Sequence, residues 1–249
     1  MKASTRTRER IARISLQLFN EQGERSVSTN HIAAAADISA GNLYYHFNNK
    51  QQIVAVLFAD YQARILEALL ARPPAGTDVE PLRHCVSVVI NAIWDYRFIY
   101  RDLEHLVEVD PELAARHRTF SVGCLREGRG LLDHLCQAGV LDMSAAEQQT
   151  VAVNAWLILT SWVRYLHTTL PSSAAITPTA VRRGAWQALS LLQAYVTAGA
   201  ASSFAALMDE FKGSSRADSD AALRGSAECG PTECGPTERS VYPELQPEP

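Results

Sequence analysis

The sequence predicts an all-helical protein, in which a three-helix N-terminal unit precedes a larger helical domain. Within residues 28–50, two short runs of helix-forming residues are separated by a tight turn at residues 37–39. Over most of the remaining chain, apolar residues recur every three or four positions, which is typical of amphipathic helices. No stretch alternates apolar and polar residues for long enough to predict a strand.

The first predicted helix covers residues 6–23 and places apolar side chains on one face, with Gly23 where a C-cap glycine is favoured. The second covers residues 29–36, and the third covers residues 40–47, with Ser39 as its N-cap. In the third helix, Leu43 and Phe47 are expected to point inward. The apolar faces of the first two helices comprise Ile11, Ile14, Leu18 and Phe19, and Ile32, Ala33 and Ala36.

Two short helices with polar groups pointing off the second are typical of a helix-turn-helix, whose second helix enters the DNA major groove. Charge supports this interpretation. Residues 1–50 contain seven Lys and Arg against four Asp and Glu, a net charge of +3, whereas the whole chain carries −4. The remaining residues therefore carry −7, and a basic end on an acidic body indicates phosphate binding at the N-terminal unit.

The N-terminal motif resembles that of the TetR/AcrR family of bacterial transcriptional regulators. The resemblance covers about residues 7–53 and rests on FNEQG at 19–23, Ser28-Thr29 with Ile32-Ala33, ISAGNLYYHF at 38–47, and Lys50. One departure is Asp37, because the family usually has glycine in the turn. Aspartate tolerates the left-handed backbone conformation better than most residues.

Candidate DNA-binding side chains lie on the third helix and at the starts of its neighbours. Asn42 is suited to pairing with adenine, and Ala40 to contact with a thymine methyl group. Tyr45 and His46 can reach phosphates or base edges, while the resemblance implies that Lys50 clamps a phosphate. The full predicted set is Ser28, Thr29, Asn30, Ala40, Gly41, Asn42, Tyr44, Tyr45, His46 and Lys50. An alternative for Tyr44 is a core position from which only the hydroxyl reaches out.

Further basic residues, Arg6, Arg8, Arg10 and Arg13, start the first helix. They are suited to reaching an adjacent minor groove, and the alternative is an ordinary solvated helix face.

The rest of the chain predicts further helices and a tail. The helices cover residues 50–72, 79–96, 111–139, 144–169, 179–197 and 202–212, with one or two shorter helices within 97–110. Ser144 and Glu147 form a capping-box pattern. Residues 213–249 contain ECGPT twice and few apolar groups, which predicts disorder. The predicted division is therefore a DNA-binding domain at 1–50, a ligand-sensing and dimerisation domain at 51–212, and a disordered tail at 213–249.

The resemblance implies a homodimer that binds a palindromic double-stranded DNA operator. In the family, the last two long helices of each protomer form a four-helix bundle, here residues 144–169 and 179–197. Their apolar residues are Val151, Trp156, Leu159, Val163 and Leu166, then Val181, Trp186, Leu189, Leu192 and Val196. The alternative is that these helices close the core of a single protomer.

The resemblance also implies a cavity for a small-molecule effector. Aromatic residues interleaved with charge at 94–102 suit an amphipathic ligand, with an arginine for an acid group. The predicted ligand-binding set is Trp94, Phe98, Tyr100, Arg101, Trp156 and Arg164. The alternative is a tightly packed aromatic core in which Arg101 pairs with Asp102 or Glu104.

Other classes of protein are not favoured. Five cysteines without a disulfide-like framework indicate a reducing cytoplasm, and no apolar run is long enough to span a membrane. No HExxH or paired CxxC motif is present, so no metal, cofactor or catalytic activity is expected. The predicted function is a ligand-responsive transcriptional regulator, a repressor by the family's usual mode. A constitutive DNA-binding dimer without a ligand is the alternative.

Overall fold

The computed structural model describes residues 2–71, 79–172 and 176–212. These ranges contain ten α-helices and one isolated β-bridge, which confirms the all-helical prediction. The predicted disordered tail lies outside the described residues. The helices are α1 Lys2–Gln22, α2 Thr29–Ala35, α3 Ala40–His46, α4 Lys50–Leu70, α5 Glu80–Asp95, α6 Phe98–Val109, α7 Pro111–Gln137, α8 Ala145–Thr169, α9 Pro178–Ser190 and α10 Ala201–Lys212.

Helices α1, α2 and α3 pack together as the predicted three-helix unit, here called the head. Ser39 caps α3 by accepting a hydrogen bond from the Asn42 N–H at 3.1 Å, as predicted. Gly23 follows α1 with a φ of 91°, and Asp37 adopts a φ of 50° in the turn between α2 and α3. Asp37 therefore adopts the left-handed conformation for which the family usually uses glycine.

The head has its own apolar core. Ile11 and Phe19 from α1, Ile32 from α2, and Leu43 and Phe47 around α3 are all completely buried. This confirms the inward direction predicted for Leu43 and Phe47. Because the three helices share one core, the outer face of α3 is held in a fixed orientation.

Helix α4 joins the head to the body, which comprises α5–α10. It contacts α1 of the head and α5 and α7 of the body. It is continuous for 21 residues, so a tilt of α4 within the body moves the head. No helix in the described ranges is long and apolar enough to span a lipid bilayer.

The body is built on two long helices, α7 and α8. Helix α7 begins at Pro111 with Asp110 as its N-cap and remains helical through Gly123, Gly128 and Gly130. The predicted capping box of α8 is confirmed, because Ser144 Oγ accepts from the Glu147 N–H and the Glu147 carboxylate accepts from the Ser144 N–H. Within residues 97–110 the chain forms the single helix α6, Phe98–Val109.

The prediction of one helix over residues 179–197 is wrong, because α9 ends at Ser190. A short 3-10 turn, Gln193–Tyr195, follows, and the chain then pairs with the segment after α7. The Asp142 N–H donates to the Tyr195 carbonyl at 2.8 Å, and the Thr197 N–H donates to the Val140 carbonyl at 3.0 Å. This tertiary pairing uses backbone groups that a continued helix would need.

Most apolar residues predicted to form a dimer bundle lie inside the protomer instead. Val151, Val163 and Leu166 of α8 are buried, as are Val181 and Leu189 of α9. These side chains therefore close the core of a single protomer, which is the alternative that the sequence left open.

Candidate nucleic-acid interface and internal cavity

The outer face of α3 presents five predicted DNA-binding residues to solvent. Ala40, Gly41, Asn42, Tyr44 and Tyr45 are all exposed, and Tyr45 is 77% exposed. His46 is half-buried, and its ring meets the Tyr45 ring edge-on at 5.1 Å between centroids. An added Cβ at Gly41 would have only Ser39 Oγ, at 3.9 Å, within 4 Å, so this surface is open to close approach.

The start of α2 lies beside α3 and adds hydroxyl and amide groups. Thr29 Oγ1 and Tyr44 Oη are hydrogen-bonded at 3.1 Å, which fixes the tyrosine across the two helices. Tyr44 is 47% exposed, so it is not a core residue. Ser28 caps α2 by accepting from the His31 N–H, and Asn30 is exposed. The predicted α2 and α3 residues therefore share one polar surface.

Lys50 is placed differently from the rest of the predicted set. Its Nζ donates to the carbonyls of Glu24 at 2.8 Å and Val27 at 3.0 Å, and it lies 2.9 Å from Glu24 Oε1. Three acceptors match the three N–H donors of an ammonium group. Lys50, which was expected to bind a phosphate, thus forms its hydrogen bonds within the head. These bonds connect the start of α4 to the turn after α1.

One basic residue of α1, Arg8, adjoins this surface. The Arg8 guanidinium lies 4.5 Å from the centroid of the Phe47 ring, close to the C-terminal end of α3. Arg6, Arg10 and Arg13 are exposed. The Arg8 contact therefore places one positive charge beside the C-terminal end of α3.

Arg101 and Asp102 of α6 attach the body to the head. The Arg101 guanidinium donates to the carbonyls of Phe19 and Asn20 at the C-terminal end of α1. The Asp102 carboxylate accepts from the Glu24 N–H at 2.9 Å and pairs with Arg101. We call this contact the α1–α6 joint.

The α1–α6 joint also involves Asn20, whose side chain donates to the Asp95 carbonyl and accepts from the Phe98 N–H. The prediction that Arg101 and Phe98 bind ligand is therefore not supported by their positions, because Phe98 packs on Phe19 at 5.3 Å between ring centroids. These contacts join residues about 80 positions apart, so no local sequence pattern signals them.

Three more predicted ligand residues are engaged elsewhere. Tyr100 is buried and hydrogen-bonds to Tyr61 of α4 at 2.7 Å, and burial raises the pKa of its hydroxyl. Trp94 stacks with the Arg97 guanidinium, and Arg164 pairs with Glu104 on the surface. These residues therefore belong to an aromatic core with paired arginines, which is the alternative to a ligand site.

An apolar cavity of about 110 Å³ lies between α4, α5, α7, α8 and α9. Of the six predicted ligand residues, Trp156 lines it and the other five do not. Its wall includes Ile65 and Leu69 of α4, so the helix that carries the head also borders the cavity. A row of aromatic rings also connects the cavity to α4. The Phe120 ring lies 5.9 Å from the ring of Trp156, which lines the cavity, and 5.7 Å from the ring of Tyr61 in α4, between centroids.

A head with an exposed polar α3, mounted by α4 on an all-helical body with an internal cavity, defines a helix-turn-helix DNA-binding regulator. The family model described as "Bacterial regulatory proteins, tetR family" matches residues 12–57, and the TetR model described as "Bacterial transcriptional repressor" matches residues 60–204. The chain belongs to the TetR family of DNA-binding transcriptional regulators. Its family and fold are those of regulators and not of enzymes.

Individual relatives agree with this assignment. A TetR-family regulator from Marinobacter aquaeolei VT8 is 33% identical, with 82% of this chain and 98% of that chain covered and a TM-score of 0.74. The AcrR regulator of Shigella flexneri is 34% identical over 61 residues, which span 24% of this chain and 28% of that protein. The chain spans about half or less of the length of the first curated relatives it matches. The SmeT–triclosan complex shares the fold, with 18% identity over 78% of this chain and 93% of that chain and a TM-score of 0.51.

Proposed function

We propose that the protein is a ligand-controlled repressor that binds a palindromic operator as a homodimer. The single observation that carries the proposal is α4, which begins at Lys50 in the head and borders the apolar cavity through Ile65 and Leu69. A ligand in the cavity therefore contacts the helix that sets the position of α3. SmeT, which shares this fold, is a repressor that has been solved with triclosan bound.

Residues 1–50 act as the DNA-binding domain in this proposal, and residues 51–212 act as the sensing and dimerisation domain. Asn42 and Ala40 contact base edges from α3, and Tyr45 contacts a base or a phosphate. Ser28, Thr29, Asn30 and Tyr44 position the head on the phosphate backbone. The exposure of these side chains on one surface supports the assignment.

The first experiment is selection of bound duplexes from a random DNA pool with purified protein at near-physiological salt. An enriched palindrome is expected, because two heads related by two-fold symmetry contact two half-sites. Binding without enrichment, falling smoothly as salt rises, would instead show a nonspecific DNA binder.

Replacing Asn42 with alanine should relax operator specificity. An asparagine that pairs with adenine contributes about 1–3 kcal/mol of discrimination, so the preference for that base should fall roughly 5- to 150-fold. Binding measurements on the selected operator and on single-base variants test this. Asn91→Ala changes an exposed asparagine of α5 outside the head and should leave specificity intact. Unchanged base preference in Asn42→Ala would remove Asn42 from the readout.

The proposed dimer contact is an exposed apolar face of α8. Leu157 is 55% exposed and Tyr165 is 52% exposed, and with Ser161 they lie four residues apart along one side of the helix. The Tyr165 ring lies 5.1 Å from the Trp162 ring, which packs on α9 through Gly184. Large apolar side chains that remain uncovered on a long helix are typical of a protein contact surface.

Replacing Leu157 with glutamate should convert the dimer into a monomer and weaken operator binding, because two facing charges would be buried without partners. Light scattering coupled to size-exclusion chromatography measures the mass. The matched control is Val122→Glu on α7, where the valine is 68% exposed but lies on a different helix. A Leu157→Glu protein that keeps the dimer mass, or a Val122→Glu protein that loses it, would contradict this assignment.

The proposed control of DNA binding is a shift between two positions of the heads. A ligand that binds better to one position of α4 favours that position, and a ligand with equal affinity for both changes nothing. The α1–α6 joint adds a second connection, because Arg101 and Asp102 hold the end of α1. Coupling of this kind is typically about 1–3 kcal/mol, which corresponds to a 5- to 150-fold change in operator affinity.

A further inference from the structure

The cavity is lined almost entirely by apolar side chains. The described residues that line it are aliphatic, aromatic, alanine or glycine residues, except for two cysteines. None of these lining side chains carries a charge, an amide or a hydroxyl group. The cysteines are Cys85 of α5 and Cys124 of α7, and both are buried.

The Cys124 thiol adds no charge to this lining. Burial, together with the smaller effects of the nearby Cys85 and Glu127, raises the pKa of Cys124 to about 12. Cys124 is therefore a neutral thiol at physiological pH, which is a weak hydrogen-bond donor and a poor nucleophile. Glu127, paired with Arg126, is the charged group that acts on this part of the wall, and its sign disfavours an anion.

The arginines that the sequence offered for an acid group, Arg97 and Arg101, and the predicted ligand residue Arg164 all have other partners. Arg97 stacks on the Trp94 ring and donates to the Trp94 carbonyl. Arg101 donates to two carbonyls of α1, and Arg164 pairs with Glu104. An acidic ligand in this cavity would therefore be buried without a cation from the lining, whose only side-chain N–H group among the lining residues is the indole of Trp156. Burying an unpaired charge in an apolar site is strongly unfavourable.

We propose that the effector is a small uncharged apolar molecule, of the size of a single aromatic ring or a short branched hydrocarbon. This inference rests on the proposed ligand control. The cavity volume of about 110 Å³ sets the size. For comparison, an engineered apolar cavity of roughly 150 Å³ binds benzene or xenon. A larger ligand must displace the walls, and Ile65 and Leu69 place α4 among the elements that would move.

The test uses three probes of similar shape: toluene, benzoate and benzylammonium. Thermal unfolding of the full chain is measured with each probe, and operator binding is measured separately on the selected duplex. Toluene is expected to raise Tm through binding to the folded state and to change operator affinity at least roughly fivefold. Benzoate and benzylammonium at the same concentration should do neither. A response to benzoate or benzylammonium equal to that for toluene overturns the proposal, and so does the absence of any response to toluene.

Two variants locate the site. Ala155→Phe fills the cavity wall and should abolish the toluene response, while Ala146→Phe on the exposed part of the same helix should keep it. Leu159→Ala enlarges the cavity and should shift the preference toward naphthalene, which keeps the test valid if the filled variant does not fold. A toluene response that neither lining variant changes places binding elsewhere and overturns the proposal.

The regulatory function and the chemical class of the effector can be tested separately. Loss of sequence-specific operator binding by the unliganded protein would overturn the proposed regulatory function, whatever the probes do. If operator binding is intact but the charged probes give a response equal to that for toluene, the proposed regulatory function stands. Only the proposed chemical class of the effector is then overturned. The Tm measurement needs no DNA, so it tests the cavity in either case.

Discussion

Replacing Lys50 with methionine is expected to lower the free energy of unfolding by about 2–4 kcal/mol. The reason is the environment of Glu24, which is 3% exposed and lies in the turn between α1 and α2. Lys50 Nζ lies 2.9 Å from Glu24 Oε1 and also binds the Glu24 and Val27 carbonyls. Without the ammonium, a buried carboxylate and two carbonyls lose their donor. The Lys50 side chain is itself 21% exposed, so water offsets part of the loss.

The second carboxylate oxygen makes Glu24 more dependent on Lys50. Oε2 of Glu24 is buried without a hydrogen-bond partner among the described residues, and His105 Nε2 lies 3.6 Å away. Lys50 is therefore the main partner that the carboxylate has. Adding Glu24→Gln to Lys50→Met should recover part of the lost stability, because the unpaired charge is removed.

Chemical denaturation of the two single variants and the double variant measures this coupling. Arg64→Met is the matched control, because its ion pair with Asp95 is also short, at 2.8 Å, but both side chains are nearly half exposed. An exposed pair should cost less than about 1 kcal/mol. Equal losses for Arg64→Met and Lys50→Met would contradict the role given to burial.

The same variant tests whether Lys50 also binds a phosphate. Each cation that contacts a phosphate contributes about 0.9 to the salt dependence of the binding constant. If Lys50 acts within the head, folded Lys50→Met should show the same salt slope as the parent. A slope reduced by about one would restore Lys50 to the phosphate-binding set that the sequence predicts.

Replacing Gly184 with alanine is expected to destabilise the protein by about 2–3 kcal/mol. An added Cβ would lie 2.6 Å from both Cγ and Cδ1 of the Trp162 indole, a distance that side chains cannot tolerate. Trp162 is not free to move away, because its Nε1 donates to the Ala180 carbonyl at 2.9 Å. The contact lies where α8 packs on α9, so the two helices would separate.

Thermal and denaturant unfolding test this prediction, with Gly123→Ala as the matched control. Gly123 is also a helical glycine, but an added Cβ meets nothing within 4 Å. Alanine there should stabilise the protein by about 0.5–1 kcal/mol, because glycine is the poorer helix former. Adding Trp162→Ala to Gly184→Ala should make the two losses less than additive. Strict additivity, or a neutral Gly184→Ala, would show that Trp162 does not set the helix spacing.

The sequence by itself determined the helical class, the three-helix head and the exposed face of α3. These depend on local physics: helical spacing of apolar residues, N-caps at Ser39 and Ser144, and a turn at Asp37. Each signal is complete within a few residues, so no distant contact is needed to interpret it. The family motif lies in this same local region.

Only the tertiary structure decided which charged and aromatic residues meet. Arg101 binds the end of α1 and Lys50 binds Glu24, and the sequence predicted neither contact. The pairing of the chain after α9 with residues 140–142 likewise ended a helix that local propensity would extend. In each case a partner distant in sequence supplied the hydrogen bond or the charge. A local pattern shows which residues can form an interaction, and packing decides which of the available partners they contact.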